Sequence, residues 1–228
     1  MPLAIVTGAS RGLGLALARA LADRGWALVL DARGAPDLKA VGQELARLTE
    51  VIALPGDVGD PHHRRELVAA AGERIDLLVN NASVLGPSPQ PPLARYPLEE
   101  LERVYRVNVF APLALVQLAL PRLVDGARIL NITSDAAVEP YEGWGGYGSS
   151  KAALEQLSAI LAAEHPELRV YAVDPGDMRT RMHQEAFPGE DISDRPPPED
   201  SIPGLLALID ERSPSGRYRA REHERDLV

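Results

Sequence analysis

Six short apolar runs punctuate this chain, at 3–6, 28–30, 51–54, 77–79, 127–132 and 169–173. Between them lie stretches whose apolar residues recur with a helical period, at 13–24, 61–73, 98–123 and 150–164, the last beginning a turn before Ser150. Runs of strand length alternating with patterns of helix length are what a parallel sheet covered on both faces requires. The expected class is therefore α/β, a three-layer doubly wound parallel β-sheet. Such a sheet takes its ligand at the carboxyl ends of the strands, where their order reverses. The pattern runs through the whole chain, so residues 1–228 are read as one domain.

The first run ends at Thr7-Gly8-Ala9-Ser10-Arg11-Gly12-Leu13-Gly14, after which Leu15, Leu17, Ala18, Leu21 and Ala22 carry a helical period as far as Gly25. This is strand, glycine turn, helix. Glycines let the backbone turn tightly and approach a ligand, and the amides at the helix start offer partial positive charge to a pyrophosphate. Standing directly after a buried strand, the turn points to dinucleotide binding.

Asn131 to Leu154 brings Ser134, Tyr147 and Lys151 into one neighbourhood. Tyr147 and Lys151, four apart on a helical segment, share a face. A phenol beside an ammonium is a tuned acid, because positive charge stabilises the phenolate and draws its pKa toward the working pH. Ser134 is placed to bond the reacting oxygen. By itself a Tyr-x-x-x-Lys pair is a weak motif, and the rest of the chain decides its meaning.

Composition narrows the field. A net charge of −9 argues against a nucleic-acid or anionic-membrane partner, either of which wants a basic surface. The absence of cysteine excludes disulfides, a thiol nucleophile and a Cys-ligated metal. The adjacent His62 and His63 point apart on a helix and have no second cluster, so they read as solvated first-turn residues, and no metal site is expected. No apolar run is read as a membrane span, and the first strand at Leu3 leaves no space for a signal peptide, so a cytoplasmic protein is expected.

The spacing Gly-x-x-x-Gly-x-Gly after Thr7, the pair Tyr147 and Lys151, and several segments between them occur in the order seen in the short-chain dehydrogenase/reductase family, which this chain resembles over residues 3 to 180. Asp57-Val58 follows the third apolar run, where the family's Asp meets the adenine amino group. Asn80-Asn81-Ala82 closes the fourth, Asn108 lies in a helical stretch, Ser134 precedes Tyr147, and Pro175-Gly176 with Thr180 follows the sixth. The resemblance implies a Rossmann fold and a catalytic set of Asn108, Ser134, Tyr147 and Lys151. It implies cofactor contacts from Gly8, Ser10, Arg11, Gly12, Leu13, Gly14, Ala32, Arg33, Asp57, Val58, Asn80, Asn81, Ala82, Tyr147, Lys151, Pro175, Gly176, Met178 and Thr180. In the family Tyr147 would exchange a proton with the substrate oxygen, and Lys151 would favour the phenolate and bond the nicotinamide ribose. Ser134 would bond the substrate oxygen, and Asn108 would support a water behind the lysine. The implied partner is a small carbonyl or alcohol substrate, and a homodimer or homotetramer through helices 98–123 and 150–164 is expected.

The second strand reads Leu28-Val-Leu-Asp31-Ala32-Arg33. The place of the acid that selects NAD in the family is Ala32. Arg33 follows it and Arg11 lies in the glycine turn, a pair of guanidiniums suited to a 2′-phosphate, so NADP(H) is expected. Asp31 keeps NAD(H) open, since it shares a side with Arg33 and could pair with it or reach the ribose.

Ser83 stands where the family usually has glycine. Residues 178–202, rich in proline and charge, are expected to form a substrate-side loop or lid with little regular structure, with Met178, Met182, His183, Phe187, Tyr141 and Trp144 lining a pocket. Pro203 to Arg212 is read as helix, 215–219 as a last short strand, and 222–228 as a charged, frayed end. The function implied is an NADPH-dependent reductase. Its competitors are a catalytically inactive NADP(H)-binding sensor and, less suited to the short carboxyl-terminal segment, an epimerase or dehydratase.

Overall fold

The computed structural model describes residues 1–211 and 213–223. Seven parallel strands form one sheet: β1 (Leu3–Val6), β2 (Ala27–Ala32), β3 (Val51–Pro55), β4 (Ile75–Asn80), β5 (Leu123–Ile132), β6 (Arg169–Asp174) and β7 (Gly216–Arg219). Their order is β3-β2-β1-β4-β5-β6-β7. The chain builds outward from β1 in one direction, then returns past it at β4 and builds in the other. The reversal between β1 and β4 opens a crevice at the carboxyl ends of those strands.

The helices are α1 (Gly12–Asp23), α2 (Ala35–Leu45), α3 (Pro61–Ala70), α4 (Leu98–Tyr105), α5 (Ala111–Ala119), α6 (Gly145–Glu164), α7 (Arg181–Ala186), α8 (Ile202–Asp210) and α9 (Ala220–His223). One apolar layer packs α1, α2 and α8 on one face of the sheet through Leu17, Leu21, Leu38, Leu45, Leu205 and Leu208. The other packs α3, α5 and α6 through Leu67, Val68, Leu115, Val116 and Leu161. Central strands buried on both faces explain why their runs are continuously apolar rather than alternating. The two edge strands differ, with β3 ending in Pro55 and β7 reading Gly-Arg-Tyr-Arg.

The sequence reading does not separate α2, although Leu38, Val41 and Leu45 carry its buried face and Pro36 stands in its first turn, where proline is tolerated. Leu98–Arg122 is continuous helix, but residues 106–110 take π-helical spacing, and that turn carries Asn108. By length and composition this 25-residue helix, with mean hydropathy 1.3 over an 18-residue window, could cross a bilayer, contrary to the expectation that no run would qualify; half of that window is buried inside the protein. Packing against the sheet and its neighbours accounts for that half. The segment 178–202 is more ordered than expected. Thr180 accepts a hydrogen bond from the His183 amide and so caps α7, and a 3₁₀ turn spans Pro198–Ser201. The expected helix near 203–212 is α8, with Arg212 outside the described residues. Of the expected frayed end, Glu222 and His223 belong to α9 and 224–228 lie outside the described residues.

Candidate active site

A cleft of about 580 Å³ lies along the carboxyl ends of the strands. Its floor at one end is the glycine turn. Gly8 sits at φ 67°, a left-handed conformation that side chains rarely adopt, and an added Cβ would come 2.8 Å from Asn81 Nδ2. Gly14 serves packing instead, because a Cβ there would meet the Gly8 carbonyl oxygen at 2.4 Å. The loop is locked from β4: the Thr7 hydroxyl accepts from the amides of Asn81 and Ala82, and Asn81 Nδ2 donates to the Thr7 carbonyl. Arg11, the residue before α1, gives that helix no side-chain cap, so its first amides are open to an anion. Among the described residues neither Arg11 nor Arg33 forms an ion pair, and both line the cleft. A glycine cradle, an uncapped helix start and two unpaired guanidiniums fit a dinucleotide carrying phosphates.

Of the residues assigned to cofactor contact, Gly8, Ser10, Arg11, Gly12, Leu13, Ala32, Arg33, Asp57, Val58, Asn81, Ala82, Tyr147, Lys151, Pro175, Gly176, Met178 and Thr180 line the cleft. Gly14 and Asn80 do not. Asn80 is buried inside the sheet, its Nδ2 donating 2.8 Å to Asn131 Oδ1 on the neighbouring strand. Asp31 also departs from expectation. It lines the cleft but is only 1% exposed, and its side chain bonds His63 Nε2 at 2.6 Å rather than Arg33. His63, expected in solvent, is buried as well, whereas His62 is exposed as foreseen.

At the other end α6 carries Tyr147 and Lys151 into the cleft, with Ser134 entering just after β5. The Ser134 and Ser83 hydroxyls, which donate to Asp135 Oδ1 and Asn108 Oδ1, lie beside the Tyr147 phenol and act to lower its pKa. Lys151 Nζ lies 5.4 Å from the centre of the Tyr147 ring and donates to the Ile132 carbonyl at 2.7 Å. Burial holds the lysine down at about 7, and burial also pushes the phenol well above its ordinary range, with Asp174 and Asp135 adding to the rise. The sequence reading expected the ammonium to lower the phenol. The protein's own groups do the opposite, because the lysine is itself desolvated and turned to a backbone oxygen while two aspartates face the tyrosine.

Asn108 does not reach the cleft. Its Nδ2 donates to the Val84 carbonyl and the Ser150 hydroxyl, and its Oδ1 accepts from the Val84 amide and the Ser83 hydroxyl. It ties the segment after β4 to the helix turn that bears Tyr147 and Lys151. Ser83, noted in the sequence only as a departure from glycine, thus stands between Asn108 and the phenol. Asp135 and Asp174 line the site too, and no spacing signal singles them out.

Trp144 stands edge-on to Tyr147, with ring centres 5.8 Å apart, and Met178, Met182 and His183 join it on the wall. Tyr141 and Phe187 stand behind Trp144, at 6.2 and 5.9 Å between ring centres, and brace it without lining the cleft themselves. Among the described residues no group of acids and histidines could hold a metal ion.

Comparison with known proteins agrees with this architecture. The model of the short chain dehydrogenase family matches residues 2–191. A rhamnolipid biosynthesis 3-oxoacyl-[acyl-carrier-protein] reductase of Pseudomonas aeruginosa is 35% identical over 192 residues, covering 79% of this chain and 74% of that protein. The sepiapterin reductase of Bos taurus is 32% identical over 201 residues, covering 81% of this chain and 75% of its own length. The alcohol dehydrogenase of the archaeon Thermococcus sibiricus, solved with 5-hydroxy-NADP, superimposes with a TM-score of 0.86 at 28% identity, over 96% of this chain and 95% of that one. With that match and the parallel sheet, glycine turn and Tyr147–Lys151 pair in place, the chain belongs to the short-chain dehydrogenase/reductase family of NAD(P)-dependent oxidoreductases.

Proposed function

We propose that this protein is an NADPH-dependent reductase of a small carbonyl compound, reversible as an alcohol dehydrogenase, with Tyr147 as its acid and base. The observation that carries the reading is the convergence of Tyr147, Ser134 and Lys151 at the carboxyl ends of the sheet, in the same cleft as the glycine turn. Arg11 and Arg33 support the choice of NADP(H), as do relatives solved with NADP(H).

Gly8, Gly12 and the start of α1 would hold the pyrophosphate, Arg11 and Arg33 the 2′-phosphate, and Asp57 and Val58 the adenine. When bound, the reduced nicotinamide supplies hydride to the carbonyl carbon. Tyr147 gives its phenolic proton to the carbonyl oxygen, and Ser134 donates a hydrogen bond to that oxygen as negative charge develops, a contact worth about 2.7 to 4 kcal/mol in comparable sites. Ser83 and Ser134 stabilise the phenolate left behind. Lys151 adds positive charge on the same side whenever it is protonated, and Asn108 keeps the helix turn that carries both groups in register. Trp144, Met178 and Met182 form an apolar wall that keeps bulk water from the reacting oxygen.

A panel of aldehydes, ketones and quinones, followed by the loss of NADPH absorbance, tests the reading. Tight NADPH binding with no turnover of any class would favour the inactive sensor. Exposed Phe110 and Ile160, on the helices through which the family assembles, support a homo-oligomer, which light scattering on the purified protein would check.

A further inference from the structure

Asp31 stands one residue before Ala32 at the end of β2, on the wall of the cleft that Arg33 and Gly34 also line. Its side chain is 2% exposed. The Asp31 carbonyl accepts from the Ala9 amide of the glycine turn, and His63 Nε2 lies 2.6 Å from Oδ1 of its carboxylate. The imidazole arrives from the first turn of α3 and is 7% exposed. It packs against Gly56, just after β3, where an added Cβ would fall 2.3 Å from the ring nitrogen Nδ1. Gly56 is therefore the seat of the ring. The other charges facing the pair, Asp57, Asp60 and Glu66, are all acidic, and His63 is the basic group that meets Asp31.

A bare carboxylate at this place would act on a dinucleotide in two ways. It would accept hydrogen bonds from the hydroxyls of an unphosphorylated ribose, and it would repel a phosphate on that ribose. An imidazolium bonded to it removes the net charge and occupies the accepting oxygen. We propose that the Asp31–His63 pair is a cofactor-selectivity element, in which His63 cancels and engages an acid that would otherwise turn the site from NADP(H) toward NAD(H). The inference rests on the NADP(H) reading above and assigns to His63 a positioning and charge-compensating role, not contact with the cofactor. Hydrogen bonding to Asp31 holds the imidazole above its ordinary pKa and burial raises the Asp31 carboxyl, so the 2.6 Å contact keeps one proton between the two groups and the pair carries no net charge.

The test is equilibrium binding of NADPH and of NADH to the intact protein, by fluorescence titration at fixed pH and ionic strength, for the native chain, His63→Gln, Gly56→Ala and the double variant Asp31→Asn/His63→Gln. Loss of the positive charge in His63→Gln weakens NADPH by about tenfold and NADH by less than about twofold, as expected for one uncompensated charge near a phosphate. Gly56→Ala, which dislodges the ring, shifts the ratio the same way. The double variant, with no carboxylate to compensate, brings NADPH affinity back to within about threefold of native. Equal weakening of both cofactors, an unmoved ratio, or no recovery in the double variant would overturn the proposal. If His63→Gln does not fold, Gly56→Ala and the double variant still report the ratio. The native ratio judges the NADP(H) reading separately: a native protein that prefers NADH, whose ratio still moves as described, retains the pair's role and loses the reading. A native preference for NADPH with an unmoved ratio does the reverse.

Discussion

Lys151 Nζ and the Tyr147 ring lie 5.4 Å apart, yet the ammonium donates to the Ile132 carbonyl, and its burial lowers its pKa to about 7. An unfolded lysine keeps its ordinary value near 10.4. Between those two values the unfolded chain binds the extra proton, so stability rises with pH across that window, and the cost of the buried charge is complete below about 7. Lys151→Met removes that cost but leaves the Ile132 oxygen without its donor, a loss of about 1 kcal/mol. The variant is expected to be more stable than native at pH 6, by a few kcal/mol at most, with the advantage fading toward pH 10. Urea denaturation at three pH values checks it, and a difference that grows with pH would refute the buried-ammonium picture.

Tyr147→Phe removes the proton donor with almost no change in volume. Turnover with the best substrate of the panel should fall by roughly 10² to 10⁴, while the NADPH dissociation constant moves by less than about threefold. Retained activity would remove Tyr147 from the mechanism.

Ser83 donates to Asn108 Oδ1 and lies beside the phenol, where it pulls the phenol's pKa down against burial. Ser83→Ala therefore raises that pKa further. The group of Tyr147 that must be ionised for alcohol oxidation then titrates at higher pH, so the basic-side rise in kcat for oxidation shifts upward, with little change in KM. A pH profile identical to native would show that the serine is only a spacer.

Gly14→Ala places a methyl group 2.4 Å from the Gly8 carbonyl oxygen, which is backbone and cannot yield as a flexible side chain would. A drop of several degrees in Tm, together with weaker NADPH binding, is expected as α1 is pushed off the turn. An unchanged melt would show that the turn has slack.

The architecture was legible because central strands buried on both faces must be continuously apolar and must alternate with covering helices, a pattern that survives in the linear sequence. The glycine turn and the Tyr147–Lys151 spacing are local and were likewise readable. What escaped is non-local. Nothing between Arg33 and Val51 marked α2 strongly enough to separate it. His63 looks like any first-turn histidine until β2 and β3 are laid side by side and the missing side chain of Gly56 makes a place for its ring. Gly14 and Asn80 belong to the right motifs but serve packing and sheet cohesion, a division of labour that spacing does not reveal. The raised phenol pKa depends on burial first and then on Asp174, both of which reach Tyr147 only through the fold.

The two outermost strands have a further consequence. β7 is four residues long and carries Arg217 and Arg219, and β3 ends in Pro55. Brevity, positive charge and a residue with no amide hydrogen are all obstacles to a foreign strand seeking to dock along a border. The sheet is thereby guarded at its margins against runaway edge-to-edge polymerisation, and replacing both arginines by valine would be the direct way to invite aggregation.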